Sequence, residues 1–90
     1  MIIYNLSNIN ILYISPYIQM RAENGTVEFL QSLTGRSLIV PGSGNQLGQI
    51  LEAFANGLEW NNAIASIGRI FPDYDATELL ESMIQIGVLE

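Results

Sequence analysis

Histidine, cysteine and lysine are all missing from this chain of 90 residues, and each absence removes a kind of chemistry. Without cysteine there is no disulfide framework, no thiolate zinc site and no thiol nucleophile, so stability has to come from packing and the redox compartment leaves no trace. Without histidine the usual general base near neutral pH is gone. Without lysine neither a Schiff-base amine nor the phosphate-gripping cation of a P-loop exists. Catalysis would be left to carboxylates and tyrosines, which points to a binding module and away from an enzyme, with no cofactor implied.

Charge is also scarce. Charged residues make up 13% of the chain, about half the usual share. Arg21, Arg36 and Arg69 stand against nine acids, giving a net charge of −6. That balance repels phosphate backbones and anionic membrane surfaces. The stretch from Met1 to Met20 is apolar, but its first charge is Arg21, so it lacks the basic start of a signal peptide. Asn5, Ser7, Asn8 and Asn10 interrupt any membrane span of about 18 apolar residues. The expectation is a soluble, cytoplasmic protein.

Against these absences stands a 49% apolar content. It suffices for one domain over 1–90 that buries about 60–65% of the surface of its unfolded chain. β patterns precede Pro41-Gly42-Ser43-Gly44 and helical patterns follow it. Ile9, Ile11 and Tyr13 alternate with Asn10 and Leu12, suggesting a short first strand. From Tyr17 to Arg21, Ile18 and Met20 share one face, and Asn24-Gly25 then supplies the two positive-φ residues of a type I′ hairpin turn. The return strand runs from Thr26 to Leu33 with Val27, Phe29 and Leu33 on one face. Thr34-Gly35 turns the chain into a third strand, Arg36 to Val40, which Pro41 ends.

Three helices are expected behind the break. Ser43 and Gln46 have the spacing of a capping box. Leu47, Ile50, Leu51 and Phe54 form one stripe of a helix over Gln46 to Ala55, which Asn56-Gly57 stops. Trp60, Ala63, Ile64, Ile67 and Phe71 repeat the spacing, with Glu59 in the first turn, Arg69 in the last and Pro72 as the close. Asp75 and Glu78 resemble a second capping box, and Ala76, Leu79, Leu80, Met83 and Ile84 line a third helix that ends at Gly87.

Few constellations suggest chemistry. Asp73 and Asp75 form an Asp-x-Asp of the kind that touches a hard cation, but no glycine follows where a calcium loop needs it, and helix capping is the simpler role. Gly42-Ser43-Gly44-Asn45-Gln46-Leu47-Gly48 lies where a phosphate loop would, with the wrong spacing and no lysine. Strands followed by helices also suit winged-helix DNA readers, yet the last helix carries Asp75, Glu78 and Glu81 and no base, so duplex DNA is not an expected partner. Trp60 falls on the apolar stripe of its helix and reads as core. Ile84 and Ile86 spread apolar surface around the last turn, for a partner or for burial under the N-terminal strand.

The order of elements and several motifs resemble the PqqD-like family, the RiPP recognition elements that hold leader peptides of ribosomally made natural products. The matching residues are the hairpins at Asn24-Gly25 and Thr34-Gly35, the run Leu47-Gly48-Gln49-Ile50-Leu51 and the turn Asn56-Gly57. The closing segment is the most specific: Phe71-Pro72-Asp73-Tyr74-Asp75, then Leu79-Leu80, Met83 and Gly87-Val88-Leu89. The resemblance covers about Tyr17 to Leu89. It departs from the family at Pro41-Gly42-Ser43-Gly44-Asn45 and at Leu58-Glu59-Trp60.

The resemblance implies an α+β winged helix-turn-helix, a three-stranded antiparallel sheet followed by three α-helices. It also implies that a leader peptide adds a strand to the third strand, in a groove walled by the third helix. The peptide-binding residues would be Arg36, Ser37, Leu38, Ile39 and Val40 on the strand, and Thr77, Leu80, Glu81 and Ile84 on the helix. Family members of this size act as stand-alone adaptors that present a precursor peptide to a separate tailoring enzyme, often of the radical SAM class. The alternative is a protein-interaction or dimerising regulatory module with a winged-helix fold. The two separate by assay, because an adaptor activates a second protein only with precursor present.

Overall fold

The computed structural model describes residues 11–90. Eight elements follow in order: β1 (Ile11–Leu12), β2 (Ile18–Glu23), β3 (Thr26–Gln31), β4 (Ser37–Pro41), α1 (Gly44–Ala53), β5 (Leu58–Glu59), α2 (Trp60–Ile70) and α3 (Ala76–Ile86). The fold is α+β: β2, β3 and β4 form an antiparallel meander in that order, and three helices follow among the described residues. The expected order is interrupted once, because β5 lies between α1 and α2 and pairs with β1, Ile11 opposite Glu59 and Leu12 opposite Leu58. Of the expected first strand, Ile9 and Asn10 lie outside the described residues.

The meander forms where its turn chemistry allows. Asn24 (φ 54°) and Gly25 (φ 81°) both take positive φ, the conformation a two-residue I′ turn demands. The turn sets Glu23 opposite Thr26 and Ala22 opposite Val27. That register gathers Ile18, Met20, Ala22, Val27, Phe29, Leu38 and Val40 on one face, packed into or against the core. Leu33 is not among them. It is 69% exposed, because β3 ends at Gln31, whose carbonyl accepts from the Gly35 N–H (2.8 Å) and so starts the next turn two residues early.

The helices supply the rest of the core. Ser43 caps α1 as expected: its side chain accepts from the Gln46 N–H while the Gln46 Oε1 accepts from the Ser43 N–H (2.8 Å). Ile50 and Phe54 are buried from α1, but Leu51, expected on the same stripe, is 48% exposed. Ala63, Ile67 and Ile70 are buried from α2, and Leu79, Leu80 and Met83 from α3. Trp60 is not core. It is the first residue of α2, where the chain leaves β5, and it stands 37% exposed. Glu59 precedes the helix as its N-cap and makes no side-chain capping bond. Asp75 does cap α3, its Oδ1 accepting from the Glu78 N–H (3.1 Å).

Two polar features bind the layers. Gln31 is 5% exposed and faces the core; its Nε2 donates to the Gly87 carbonyl (2.9 Å) and its Oε1 accepts from the Leu33 N–H (3.0 Å). Gly87 closes α3 with φ 94°, and a Cβ there would lie 2.9 Å from that same Nε2. The chain's two described ends meet in a clasp: Tyr13 and Glu90 exchange backbone hydrogen bonds (2.8 Å each), and the Ser15 N–H donates to the Val88 carbonyl (2.9 Å). Among the described residues no helix is long and apolar enough to cross a membrane.

Candidate functional site

Among the described residues β4 is an edge strand, paired with β3 alone. The direction of each of its amides follows from the ladder. The Gln31 N–H donates to the Arg36 carbonyl (2.8 Å) at one end and the Gly42 N–H to the Gly25 carbonyl (2.9 Å) at the other. Between them Phe29 faces Leu38 and Val27 faces Val40. Hydrogen-bonded pairs alternate with non-bonded ones along an antiparallel ladder, so Leu38 and Val40 direct their amides into β3 while Ser37 and Ile39 direct theirs away from the sheet. Pro41 shares the outward class and has no N–H to offer, which is where a proline is tolerated at a sheet edge.

Side chains divide the same strand by face. Val40 is 5% exposed and Leu38 half-buried, both toward the core, whereas Ile39 stands 57% exposed on the outer face, opposite Glu28 in the register. Beyond Glu28 lies Arg21, whose guanidinium donates to Glu28 at 2.7 Å and pairs more loosely with Glu23 at 3.6 Å. Arg36 and Ser37 are exposed, and no charge falls within β4 itself. α3 packs beside β4, so the strand and helix expected to flank a ligand are neighbours.

The expected site residues therefore separate into two groups. Ser37 and Ile39 present backbone donors with no partner among the described residues, Arg36, Thr77 and Glu81 present exposed side chains, and Ile84 is half-buried. Val40 offers a ligand neither amide nor side chain, which corrects its place among the contacts. Leu80 is corrected as well: at 0% exposure it belongs wholly to the core, because it falls between Leu79 and Met83 on the buried face of α3.

The sequence did not single out a cleft of about 530 Å³ at the far end of β4, lined by Pro41, Gly42, Gln46, Phe71, Pro72, Asp73 and Tyr74. Its floor is rigid. Gln46 is anchored twice, through its capping bond and through its Nε2, which donates to the Ile70 carbonyl (2.9 Å). The Phe71 and Tyr74 rings meet edge to face with centroids 6.0 Å apart. Of the Asp-x-Asp pair, Asp75 is used as a cap, while Asp73 lines the cleft. Among the described residues no three histidine, cysteine, aspartate or glutamate side chains gather as a metal site.

No protein-family model matches this chain, and neither a curated protein nor a solved structure shows significant similarity to it.

Proposed function

We propose that this protein is a peptide-binding adaptor that accepts an extended segment along β4, holding the leader of a ribosomal precursor peptide for a separate modifying enzyme, of which radical SAM enzymes are one class. In this reading the helices and flanking strands make up a winged helix-turn-helix used for peptide recognition in the cytoplasm, with no nucleic acid or membrane as partner.

The observation that carries it is the outward set of β4. Ser37 and Ile39 direct amides unshared among the described residues, with an exposed isoleucine, off an uncharged strand end-stopped by Pro41. Strand addition takes its affinity from such main-chain groups and its specificity from the flanking side chains. Pairing β4 with a second copy would use the same groups, but it brings together two chains of net charge −6.

The test is amide NMR during titration with synthetic leaders of precursor peptides encoded beside this gene. The Ser37 and Ile39 amides should move the most and gain protection from exchange, while Leu38 and Val40 move less. Shifts confined to β2 or to the β1–β5 pair would overturn the assignment.

A further inference from the structure

We infer that the cleft beyond Pro41 is an anchor subsite for a cationic side chain, arginine or lysine, of the peptide docked on β4. The inference rests on the reading of β4 given above and adds a chemical class to it. Pro41 belongs to both places: it ends the strand and it lines the cleft. Because it has no N–H, the ladder to an added strand loses a donor there, and an added chain that runs on past it reaches the mouth of the cleft.

The lining sets the sign of the occupant. Asp73 is the one full charge among the lining residues, and it makes no hydrogen bond or ion pair with the described residues. None of the three arginines lines the cleft: Arg21 is held by Glu28 and Glu23, Arg69 lines a separate hollow with Gln49 and Glu52, and Arg36 sits at the opposite end of β4. Helix poles converge here as well, since α1 and α3 begin at the cleft and α2 ends at it. Those poles offset: the capping box occupies the first donors of α1, Asp75 caps α3, and the C-terminus of α2 supplies the opposite sign. A carboxylate beside an aromatic ring is the complement of a guanidinium or ammonium group. The volume, about 530 Å³, lies within the range of specific binding clefts.

Strand direction then fixes the order of the peptide. β4 runs from Ser37 to Pro41 toward the cleft, so an antiparallel guest has its N-terminal part at the cleft. The basic residue therefore precedes the strand-forming residues.

The experiment is selection of a random decapeptide display library on the purified protein, with Asp73→Asn, Ile39→Pro and Ser37→Pro compared after circular dichroism shows them folded. Enriched peptides should place arginine or lysine just before an alternating apolar run. Replacing that arginine by citrulline, or Asp73 by asparagine, should each weaken binding about fivefold, and the two together no more than either alone. Binders that depend on the outward amides of Ser37 and Ile39 but show no basic preference, or are indifferent to Asp73→Asn, overturn the subsite and leave the β4 reading standing. Binders unaffected by either proline substitution, or no binder at all, overturn the β4 reading and the subsite with it.

Discussion

The two edges of the meander are built from the same alternation and left in different states. β2 carries Gln19, Arg21 and Glu23 on its outer face, with Arg21 ion-paired, and α1 packs beside it. β4 carries no charge, shows Ile39 on its outer face, ends at Pro41, and has α3 beside it. Charge on an exposed strand and cover from a helix are the means by which sheets avoid unwanted pairing. Both edges have a helix beside them and only β2 carries charge, which teaches that the two edges differ, among the described residues, in charge rather than in cover.

The comparison is broken most severely from behind the strand. Leu80→Asp puts a carboxylate into a fully buried position of α3 and should cost about 4 kcal/mol or more, unfolding the domain in thermal melts. Ile84→Asp, half-buried on the same helix, should cost about 1–2 kcal/mol. Equal losses for the two would show that Ile84 is as deep in the core as Leu80.

Proline then reads the strand itself. Leu38→Pro removes an amide directed into β3 and should lower stability by about 3 kcal/mol. Ile39→Pro removes one directed outward and should leave the circular dichroism spectrum and melting temperature near wild type while abolishing peptide binding. The reverse ranking would mean that the two strand faces have been interchanged.

A smaller effect sharpens the link between sheet and helix. Gly87→Ala forces a Cβ into a positive-φ position against the Gln31 amide and should cost about 1–3 kcal/mol by denaturant titration. Gln31→Ala should partly relieve that crowding, so the double variant should lose less than the sum of the singles. The smallest effect belongs to the protected edge: Arg21→Ala breaks an exposed ion pair and should change stability by less than about 1 kcal/mol, and less still at high salt.

The hairpin turn at Asn24-Gly25, the Ser43–Gln46 capping box and the αL stop at Gly87 were legible because each is local: a short motif whose backbone needs only a few residue types can meet. Leu33, Leu51 and Trp60 were misplaced for the converse reason. Periodicity says which residues share a face but not where an element stops, and each of these lies off the core face or at an element's end. Gln31 continues the alternation of Val27 and Phe29, so its burial was readable from period two, had a polar residue been allowed on that face. The cleft had no signal, because Pro41, Gln46 and Asp73 come together only once three elements have packed. The third strand was named through the resemblance as the one a peptide would join, whereas the direction of each of its amides needed the register.

The clasp between residues 13–15 and 88–90 has a kinetic consequence. Chain ends normally fray and exchange their amide protons fastest. Here Val88 and Leu89 are buried, and nearly the whole described chain lies between the two sides of the clasp, so closing it gains little until the intervening elements are in place. It should be among the last parts to form and, by the same path reversed, among the first to open. The amides of Ser15 and Glu90 are thus expected to exchange through that partial opening, faster than the amides of β3, and to report on the step that completes the fold.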